Sequence, residues 1–332
     1  MSDAGNEEQV DAIVLGLGPG GEEVAGKLAE AGLSVVAIDG GLVGGECPYW
    51  GCIPSKMMIR AANLLTEGRR IPGMAGASTV TADWGPVARR IREEATDNWD
   101  DKVAVERLEG KGARFVRGWG RLDGPNRVVV GDRRFSARRA VVVGTGAKAW
   151  APPVPGLAGT PYWSNREAVE ADRLPDSLLV LGGGAIGVEL AQVFARFGVA
   201  VTVVEVAPRL LAAEEPESSR QVADTFADEG IAVRAGADIE QVDYTAREGT
   251  GGPDGGEFVL RLEGGEVVSG ARLLVAAGRR PDLGSIAAGT VGVDEQARAL
   301  PVDDHLRVAP GVWAVGDVTG QGAFTHVSMY QA

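Results

Sequence analysis

The chain has 332 residues, of which 45% are hydrophobic and 24% charged, and its formal net charge is −13 at pH 7. This composition is that of an ordinary globular protein with room for two domains, and the acidic charge argues against nucleic acid and anionic membrane surfaces as partners. No apolar run reaches the roughly 18–20 residues that a membrane helix needs. The N-terminus lacks the basic and apolar regions of a secretory signal, so the sequence predicts a cytoplasmic protein.

A glycine-rich turn follows the first predicted strand. The apolar run Val10–Leu15 leads into the turn Gly16–Gly21, a helical segment reaches Gly32, and a second apolar run ends at Asp39. In such a unit the first glycine makes a tight turn, the second lets the backbone approach a pyrophosphate, and the third lets the helix pack on the strand. The terminal carboxylate accepts hydrogen bonds from ribose hydroxyls. The pattern predicts a dinucleotide site that contains Gly16, Gly18, Gly21 and Asp39.

The only two cysteines of the chain, Cys47 and Cys52, come next and lie five positions apart. A cytosolic protein keeps its thiols reduced unless they work in redox chemistry. Pro54 suits the first turn of a predicted helix, which places Cys52 at the helix N-terminus, where the dipole stabilises a thiolate. A disulfide that closes so short a ring is constrained, and constrained bridges are the labile ones. The spacing therefore favours a redox pair. The two histidines, His305 and His326, are far apart from each other in the sequence, so no Cys/His metal site is expected.

The middle of the chain predicts further elements of an α/β fold. The segment Asp83–Arg117 has the apolar pattern of helix over most of its length. Three strand-like runs are followed by glycine, which is typical of the sheet edges where α/β folds bind ligands. These runs are Ala140–Val143, Arg272–Ala277 and Gly311–Val315. The proline cluster Pro152–Gly156 predicts a hinge between domains.

A second glycine block repeats the first. Ser177–Leu181 leads into Gly182–Gly187, a helical segment closes at Gly198, and the run after it ends at Glu205. The first glycine and the terminal carboxylate are 23 positions apart in both blocks. A single glycine motif is weak support, but two between strand and helix predict two bound dinucleotides. The predicted fold class is α/β, with two Rossmann-like dinucleotide-binding domains, the second inserted in the first.

The segment from Gly44 to Lys56 reads Gly-Gly-Glu-Cys-Pro-Tyr-Trp-Gly-Cys-Ile-Pro-Ser-Lys. Together with the two glycine blocks, this segment resembles the sequences of the class I pyridine nucleotide-disulfide oxidoreductases. That family includes dihydrolipoamide dehydrogenase, glutathione reductase and mercuric reductase. The resemblance covers essentially the whole chain and implies FAD and a nicotinamide dinucleotide as cofactors. It assigns residues 1–155 and 279–332 to the FAD-binding domain and residues 156–278 to the NAD(P)-binding domain.

The resemblance also implies a role for individual residues. Cys52 would form a charge-transfer pair with the flavin, and Cys47 would attack the substrate disulfide. Lys56 would reach flavin N5 and pair with Glu189. The remaining FAD-binding positions would be Gly16, Gly18, Gly21, Asp39, Gly45, Gly120, Thr145, Gly146, Asp317 and Thr325. The nicotinamide cofactor would be held by Gly182, Gly184, Gly187, Glu205 and Gly278.

Several positions depart from the family pattern. Glu46 stands where the family has threonine, and the residues Pro48–Trp50 between the cysteines are bulkier than usual. Family members continue beyond the segment that ends at Ala332 into an interface domain, which builds the dimer and supplies a His–Glu acid–base pair. The usual homodimer is therefore not expected for the chain as given, and both histidines, His305 and His326, are interpreted as structural.

The predicted function is that of an FAD-dependent, NAD(P)H-linked disulfide or dithiol oxidoreductase, most like dihydrolipoamide dehydrogenase. Its substrate would be a small-molecule or protein-bound disulfide or dithiol. NAD is favoured over NADP, because the charge of Glu205 repels a 2′-phosphate. Without the acid–base pair, three alternatives stay open. They are a diaphorase that reduces quinones or dyes, a mercuric-ion reductase, and a non-catalytic flavin-binding redox sensor.

Overall fold

The computed structural model describes residues 7–246 and 256–332, and the chain divides into two compact units. The first unit comprises Met1–Tyr49, Asp97–Lys148 and Arg279–Ala332, and the second comprises Trp50–Thr96 and Ala149–Gly278. Residues 50–96 therefore pack with the second glycine block. The assignment of domains by cofactor stays a prediction. Within the described residues, none of the helices has both the length and the apolar character needed to cross a membrane.

The strands and helices are numbered here in chain order. The strands are β1 (Glu7–Leu15), β2 (Val35–Asp39), β3 (Arg114–Arg117), β4 (Gly120–Leu122), β5 (Arg127–Val130), β6 (Arg133–Val143), β7 (Lys148–Ala149), β8 (Ser177–Leu181), β9 (Ala200–Glu205), β10 (Ala232–Ala235), β11 (Ile239–Ala246), β12 (Gly256–Leu262), β13 (Val267–Gly270), β14 (Arg272–Val275), β15 (Arg279–Arg280), β16 (Arg307–Ala309) and β17 (Val312–Ala314). The α-helices are α1 (Pro19–Glu30), α2 (Glu46–Tyr49), α3 (Cys52–Arg70), α4 (Gly85–Arg90), α5 (Lys102–Gly110), α6 (Asn165–Glu170), α7 (Ala185–Arg196), α8 (Pro216–Asp228) and α9 (Thr325–Gln331).

An eight-stranded sheet forms the centre of the first unit. Its order is β16-β17-β6-β1-β2-β3; β5 pairs antiparallel with β6, and β4 pairs antiparallel with β5. The strands β17, β6, β1, β2 and β3 run parallel, so their carboxyl ends meet at one edge. Apolar side chains line both faces, among them Ile13 on one face and Val14 on the other. Because strands of a parallel sheet are covered on both faces, their sequences are nearly continuous apolar runs.

The second unit contains a parallel sheet of order β10-β9-β8-β14 and an antiparallel sheet of order β11-β12-β13. One apolar core joins them, in which Leu179 and Leu273 of the parallel sheet cluster with Phe258 and Leu260 of the antiparallel one. Both glycine blocks thus form strand, turn, helix and parallel strand, with α1 in the first and α7 in the second. The predicted α/β class is confirmed.

The segment Asp83–Arg117 is helical over most of its length, as predicted. Residues 85–95 form α4 and a π-helical turn, and α5 follows at 102–110. Between them Asp97, Asn98 and Trp99 have φ angles of 48°, 57° and 56°, a left-handed conformation that ends a helix. Residues Arg114–Arg117, at the end of the segment, are not helical and form β3 beside β2. Pairing with the parallel sheet overrides the local pattern there.

Candidate functional site

The first glycine turn ties three parallel strands together at their carboxyl edge. The Gly16 N–H donates to the Ile38 carbonyl at 2.8 Å, and the Gly144 N–H donates to the Leu15 carbonyl at 2.7 Å. Gly16 has a φ of 92°, and a Cβ there would lie 2.6 Å from backbone atoms of Gly144 and Thr145. Only glycine therefore allows β1 and β6 to end so close together.

The second turn has the same arrangement. The Gly182 N–H donates to the Val204 carbonyl at 2.9 Å, and the Ala276 N–H donates to the Leu181 carbonyl at 2.8 Å. A Cβ on Gly182, whose φ is 112°, would lie 2.5 Å from the Ala276 carbonyl oxygen. The sequence repeat is therefore also a repeat of backbone contacts.

The carboxylate that ends each block accepts two backbone hydrogen bonds. Asp39 accepts from the N–H groups of Leu17 at 2.6 Å and Gly41 at 2.7 Å. Glu205 accepts from those of Gly183 at 2.5 Å and Ala207 at 2.6 Å. Each carboxylate thus fixes its turn and the loop after its own strand. Burial raises the pKa of Asp39, although these N–H groups and Arg117 act in the opposite direction.

The glycines of each turn fall into two types that fit a bound dinucleotide. A Cβ on Gly21 would lie 1.9 Å from the Gly16 carbonyl oxygen, and one on Gly187 would lie 1.9 Å from that of Gly182. These positions let the helix pack against the turn. Gly18 and Gly184, the N-caps of α1 and α7, have no heavy atom within 4 Å of an added Cβ. This open backbone at a helix N-terminus is the feature that holds a pyrophosphate.

The loop before Cys47 is held by a pair that the sequence did not reveal. The Val43 N–H donates to the Asp101 carboxylate at 2.7 Å, and Arg117 contacts both oxygens of Asp101 at 2.6 and 2.7 Å. Arg117 also donates to the Gly41 carbonyl. An aspartate in front of a helix usually predicts a cap, but Asp101 makes no capping bond to α5. Its carboxylate instead stabilises the loop that carries Gly45, whose added Cβ would lie 2.8 Å from Gly18 Cα.

Removing this carboxylate should destabilise the first unit. Asp101 is buried, so Asp101→Ala leaves the Val43 N–H without its acceptor and removes the ion pair with Arg117. We expect a loss of about 1–3 kcal/mol in the free energy of unfolding, measured by urea denaturation. Asp123→Ala, which breaks an exposed i,i+4 pair with Arg127, is the control and should cost less than about 0.5 kcal/mol. Equal losses in the two variants would contradict the role given to Asp101.

The remaining predicted positions of the first unit lie near the carboxyl edge of its sheet. Gly120 is buried in β4, Thr145 is exposed, Gly146 has a φ of 65°, and Thr325 begins α9. Asp317 lies in a 3-10 turn, and burial raises its pKa against the opposing charge of Arg279. The Arg279 guanidinium is 3.8 Å from Asp317 and 3.8 Å from Glu46. It therefore joins the Asp317 turn to the residue that precedes Cys47.

The cysteines lie in two successive helices, one short and one long. Cys47 is half-buried in α2, and Cys52 is exposed as the first residue of the 19-residue helix α3. One turn along α3, the Lys56 ammonium lies 2.9 and 3.0 Å from the two carboxylate oxygens of Glu189, on α7. Both side chains of this pair are more than a third exposed, so it adds about 1 kcal/mol or less to stability. The main effect of the ion pair is to fix the position of the Lys56 ammonium relative to Cys52, at the start of α3.

A family model and several known proteins are similar to this chain. The family model described as "Pyridine nucleotide-disulphide oxidoreductase" matches residues 10–332. The chain is 33% identical to a mercuric reductase of Shigella flexneri, over 98% of the chain and 58% of that protein. It is 32% identical to a dihydrolipoyl dehydrogenase of Chlorobaculum tepidum, over 98% of the chain and 69% of that protein.

A solved structure shows the same fold. The Cu(II) complex of the HOCl-induced flavoprotein disulfide reductase RclA from Escherichia coli superposes with a TM-score of 0.83 at 27% identity, over 98% of this chain and 69% of that one. The chain thus spans between 58% and 69% of the length of these three proteins. The chain belongs to the pyridine nucleotide-disulphide oxidoreductase family, whose cofactors are FAD and NAD(P)H.

Proposed function

We propose that the protein is an FAD-dependent, NAD(P)H-linked disulfide or dithiol oxidoreductase whose redox pair is Cys47 and Cys52. The observation that carries the proposal is the pair of equivalent glycine turns, each with an open N-cap glycine, in a chain whose two cysteines lie in α2 and at the first position of α3. Two dinucleotide sites and a dithiol are the parts that such an enzyme needs. Family membership and the dihydrolipoyl dehydrogenase relative support it.

When bound, the cofactors would supply hydride transfer, which amino-acid side chains do not perform. The cysteines supply the exchange with substrate. The Cys47 thiolate attacks one sulfur of a disulfide and releases the first thiol, and Cys52 then attacks the mixed disulfide and releases the second. Two electrons and two protons pass from the dithiol to the substrate, and the Cys47–Cys52 disulfide remains. Lys56, held by Glu189, presents a positive charge one turn from Cys52.

A disulfide panel tests this proposal. The protein loaded with FAD is mixed with NADH or NADPH and with lipoamide, glutathione disulfide, cystine or a protein disulfide. We expect nucleotide oxidation that depends on one of these disulfides and yields two thiols for each nucleotide. Oxidation that depends only on quinones or dyes would instead favour the diaphorase alternative. A flavin that no nucleotide reduces would favour the redox sensor.

A metal ion is the second candidate for the electron acceptor. It is favoured by the mercuric reductase relative and by the RclA structure, which was solved as a Cu(II) complex. Within residues 7–246 and 256–332, no group of three or more His, Cys, Asp or Glu side chains could hold a metal ion. Cys47 and Cys52 are the groups that would receive it, because thiolates are the ligands that soft metal ions prefer. Mercuric-ion-dependent NADH oxidation that is absent in both cysteine variants would select this candidate. If the unchanged protein shows no mercuric-ion-dependent NADH oxidation, the metal ion is rejected as the electron acceptor.

Glu205 should make NADH the preferred nucleotide. Its carboxylate is fixed at the second glycine turn and would repel a 2′-phosphate at short range. Arg209, the nearby cation that could offset this charge, donates to the backbone carbonyls of Leu211, Ala212 and Glu214. We expect kcat/KM for NADH to exceed that for NADPH by about tenfold or more, which is about 1.4 kcal/mol.

The matched variant is Glu205→Gln, which removes the charge and keeps an oxygen acceptor for one of the two backbone N–H groups. It should narrow the preference for NADH, measured as the ratio of the two kcat/KM values for flavin reduction. Glu217→Gln, on the exposed face of α8, is the control and should leave the ratio unchanged. A higher kcat/KM for NADPH in the unchanged protein would contradict the assignment.

A further inference from the structure

Trp50, which lies between the two cysteines in the sequence, makes three contacts with one short helix. Its indole N–H donates to the Glu170 carboxylate at 2.6 Å, and its carbonyl accepts from the Asn165 side-chain amide at 3.1 Å. The Arg166 guanidinium lies 4.1 Å from the centre of the indole ring, within the range of a cation–π contact. All three partners belong to α6, which is separated from Trp50 by more than 100 residues in sequence.

Helix α6 is itself firmly anchored. Ser164 and Glu167 form a capping box at its N-terminus, and Ala168 and Val169 are buried. Just before the helix, the Trp163 N–H donates to the Leu273 carbonyl at 2.8 Å and its carbonyl accepts from Val275 at 2.7 Å, so the chain adds to β14. The side chains that contact Trp50 are therefore held in a fixed position relative to the parallel sheet of the second unit.

The contacts between α6 and Trp50 affect the position of Trp50 more than the free energy of unfolding of the protein. Arg166 and Glu170 are exposed residues four positions apart on one face of α6, and contacts of exposed charged side chains contribute little to the free energy of unfolding. Their effect is local, because Trp50 is only two residues from Cys52. Fixing the indole and the carbonyl of the same residue removes conformational freedom from the segment between the cysteines.

We propose that Asn165, Arg166 and Glu170 are positioning residues for the redox pair and that, by fixing Trp50, they shift the dithiol–disulfide equilibrium of Cys47 and Cys52 toward the disulfide. The inference rests on the proposed redox function of these cysteines. Formation of the disulfide joins the two sulfur atoms and releases two protons and two electrons, which an oxidised dithiol reagent or substrate accepts. Ring closure is favoured when the segment is already ordered, because less entropy is lost in closing it.

The experiment measures the equilibrium constant for Cys47–Cys52 disulfide formation in buffers of oxidised and reduced dithiothreitol, by alkylation and mass spectrometry of the FAD-loaded protein. We expect Glu170→Ala to lower this constant by about 3–10-fold, since the indole N–H loses its acceptor. Glu170→Gln keeps an oxygen acceptor and should restore most of the constant. Glu217→Ala, which removes an exposed carboxylate paired with Arg220 on α8, is the matched control and should leave it unchanged.

Trp50→Phe identifies the route of the effect. Phenylalanine keeps a ring under Arg166 and removes the indole N–H, so Glu170→Ala should change the constant less than about 1.5-fold in this background. The flavin absorbance and the melting temperature of each variant report whether it is folded. Full additivity of Glu170→Ala and Trp50→Phe, or a Glu170→Ala constant equal to that of the unchanged protein, would overturn the inference. If the unchanged protein forms no Cys47–Cys52 disulfide in any buffer, the proposed redox function falls, and the inference falls with it.

Discussion

Replacing either cysteine with serine should abolish disulfide reduction while NADH-dependent dye reduction continues. The exchange needs one thiol to attack the substrate and a second to release the product, so removing either should lower disulfide turnover by about 1,000-fold or more. Dye reduction does not use the dithiol. The measurement compares both activities in the unchanged protein, Cys47→Ser and Cys52→Ser. Disulfide turnover that survives in either variant would contradict the dithiol mechanism.

The two variants should also differ from each other in absorbance. Cys52 begins a long helix, whose dipole favours a thiolate there, whereas Cys47 lies in the four-residue helix α2. If Cys52 is the thiol next to the flavin, as in the family, Cys47→Ser should show a long-wavelength charge-transfer band as purified. Cys52→Ser should lack that band even after two-electron reduction. Identical spectra for the two variants would show that the roles are wrongly assigned.

The parts of the site that follow from local sequence could be predicted, because strand, turn and helix are formed by neighbouring residues. The glycine–carboxylate spacing predicted both blocks, and Asp39 and Glu205 make equivalent pairs of backbone hydrogen bonds. Cys52 begins its helix, as the proline two residues later indicated. The position of Lys56 against Glu189 came from the family resemblance, since no local pattern links residues 133 positions apart.

Contacts between distant segments account for what the sequence did not reveal. Asp101 has the position of a helix cap, but its carboxylate binds Val43 and Arg117. The contacts that fix Trp50 come from α6, more than 100 residues away, and no sequence motif marks either Trp50 or α6 as a partner.

The left-handed residues that end the helix before Asp100 are an aspartate, an asparagine and a tryptophan. The first two tolerate this conformation, but their presence does not predict it.

Within each glycine turn, two alanine substitutions should separate folding from cofactor binding. Gly21→Ala places a Cβ 1.9 Å from a backbone carbonyl oxygen, so α1 must move away from β1, at a cost of about 1–3 kcal/mol or more. We expect a lower melting temperature and loss of FAD. Gly18→Ala meets no atom within 4 Å and keeps a φ of −64°, which alanine adopts readily. The apoprotein should be nearly as stable as the unchanged protein.

Gly18→Ala should nevertheless bind FAD about tenfold or more weakly, because its methyl group occupies the space where a pyrophosphate approaches the helix N-terminus. Calorimetric titration of the apoprotein with FAD measures this directly, and thermal denaturation of the same samples measures stability. The second turn provides an independent repeat, in which Gly187→Ala has the 1.9 Å contact and Gly184→Ala has none. Gly184→Ala should weaken nicotinamide nucleotide binding and leave FAD binding unchanged. If Gly18→Ala and Gly184→Ala bind both cofactors with unchanged affinity, the pyrophosphates do not lie at these turns.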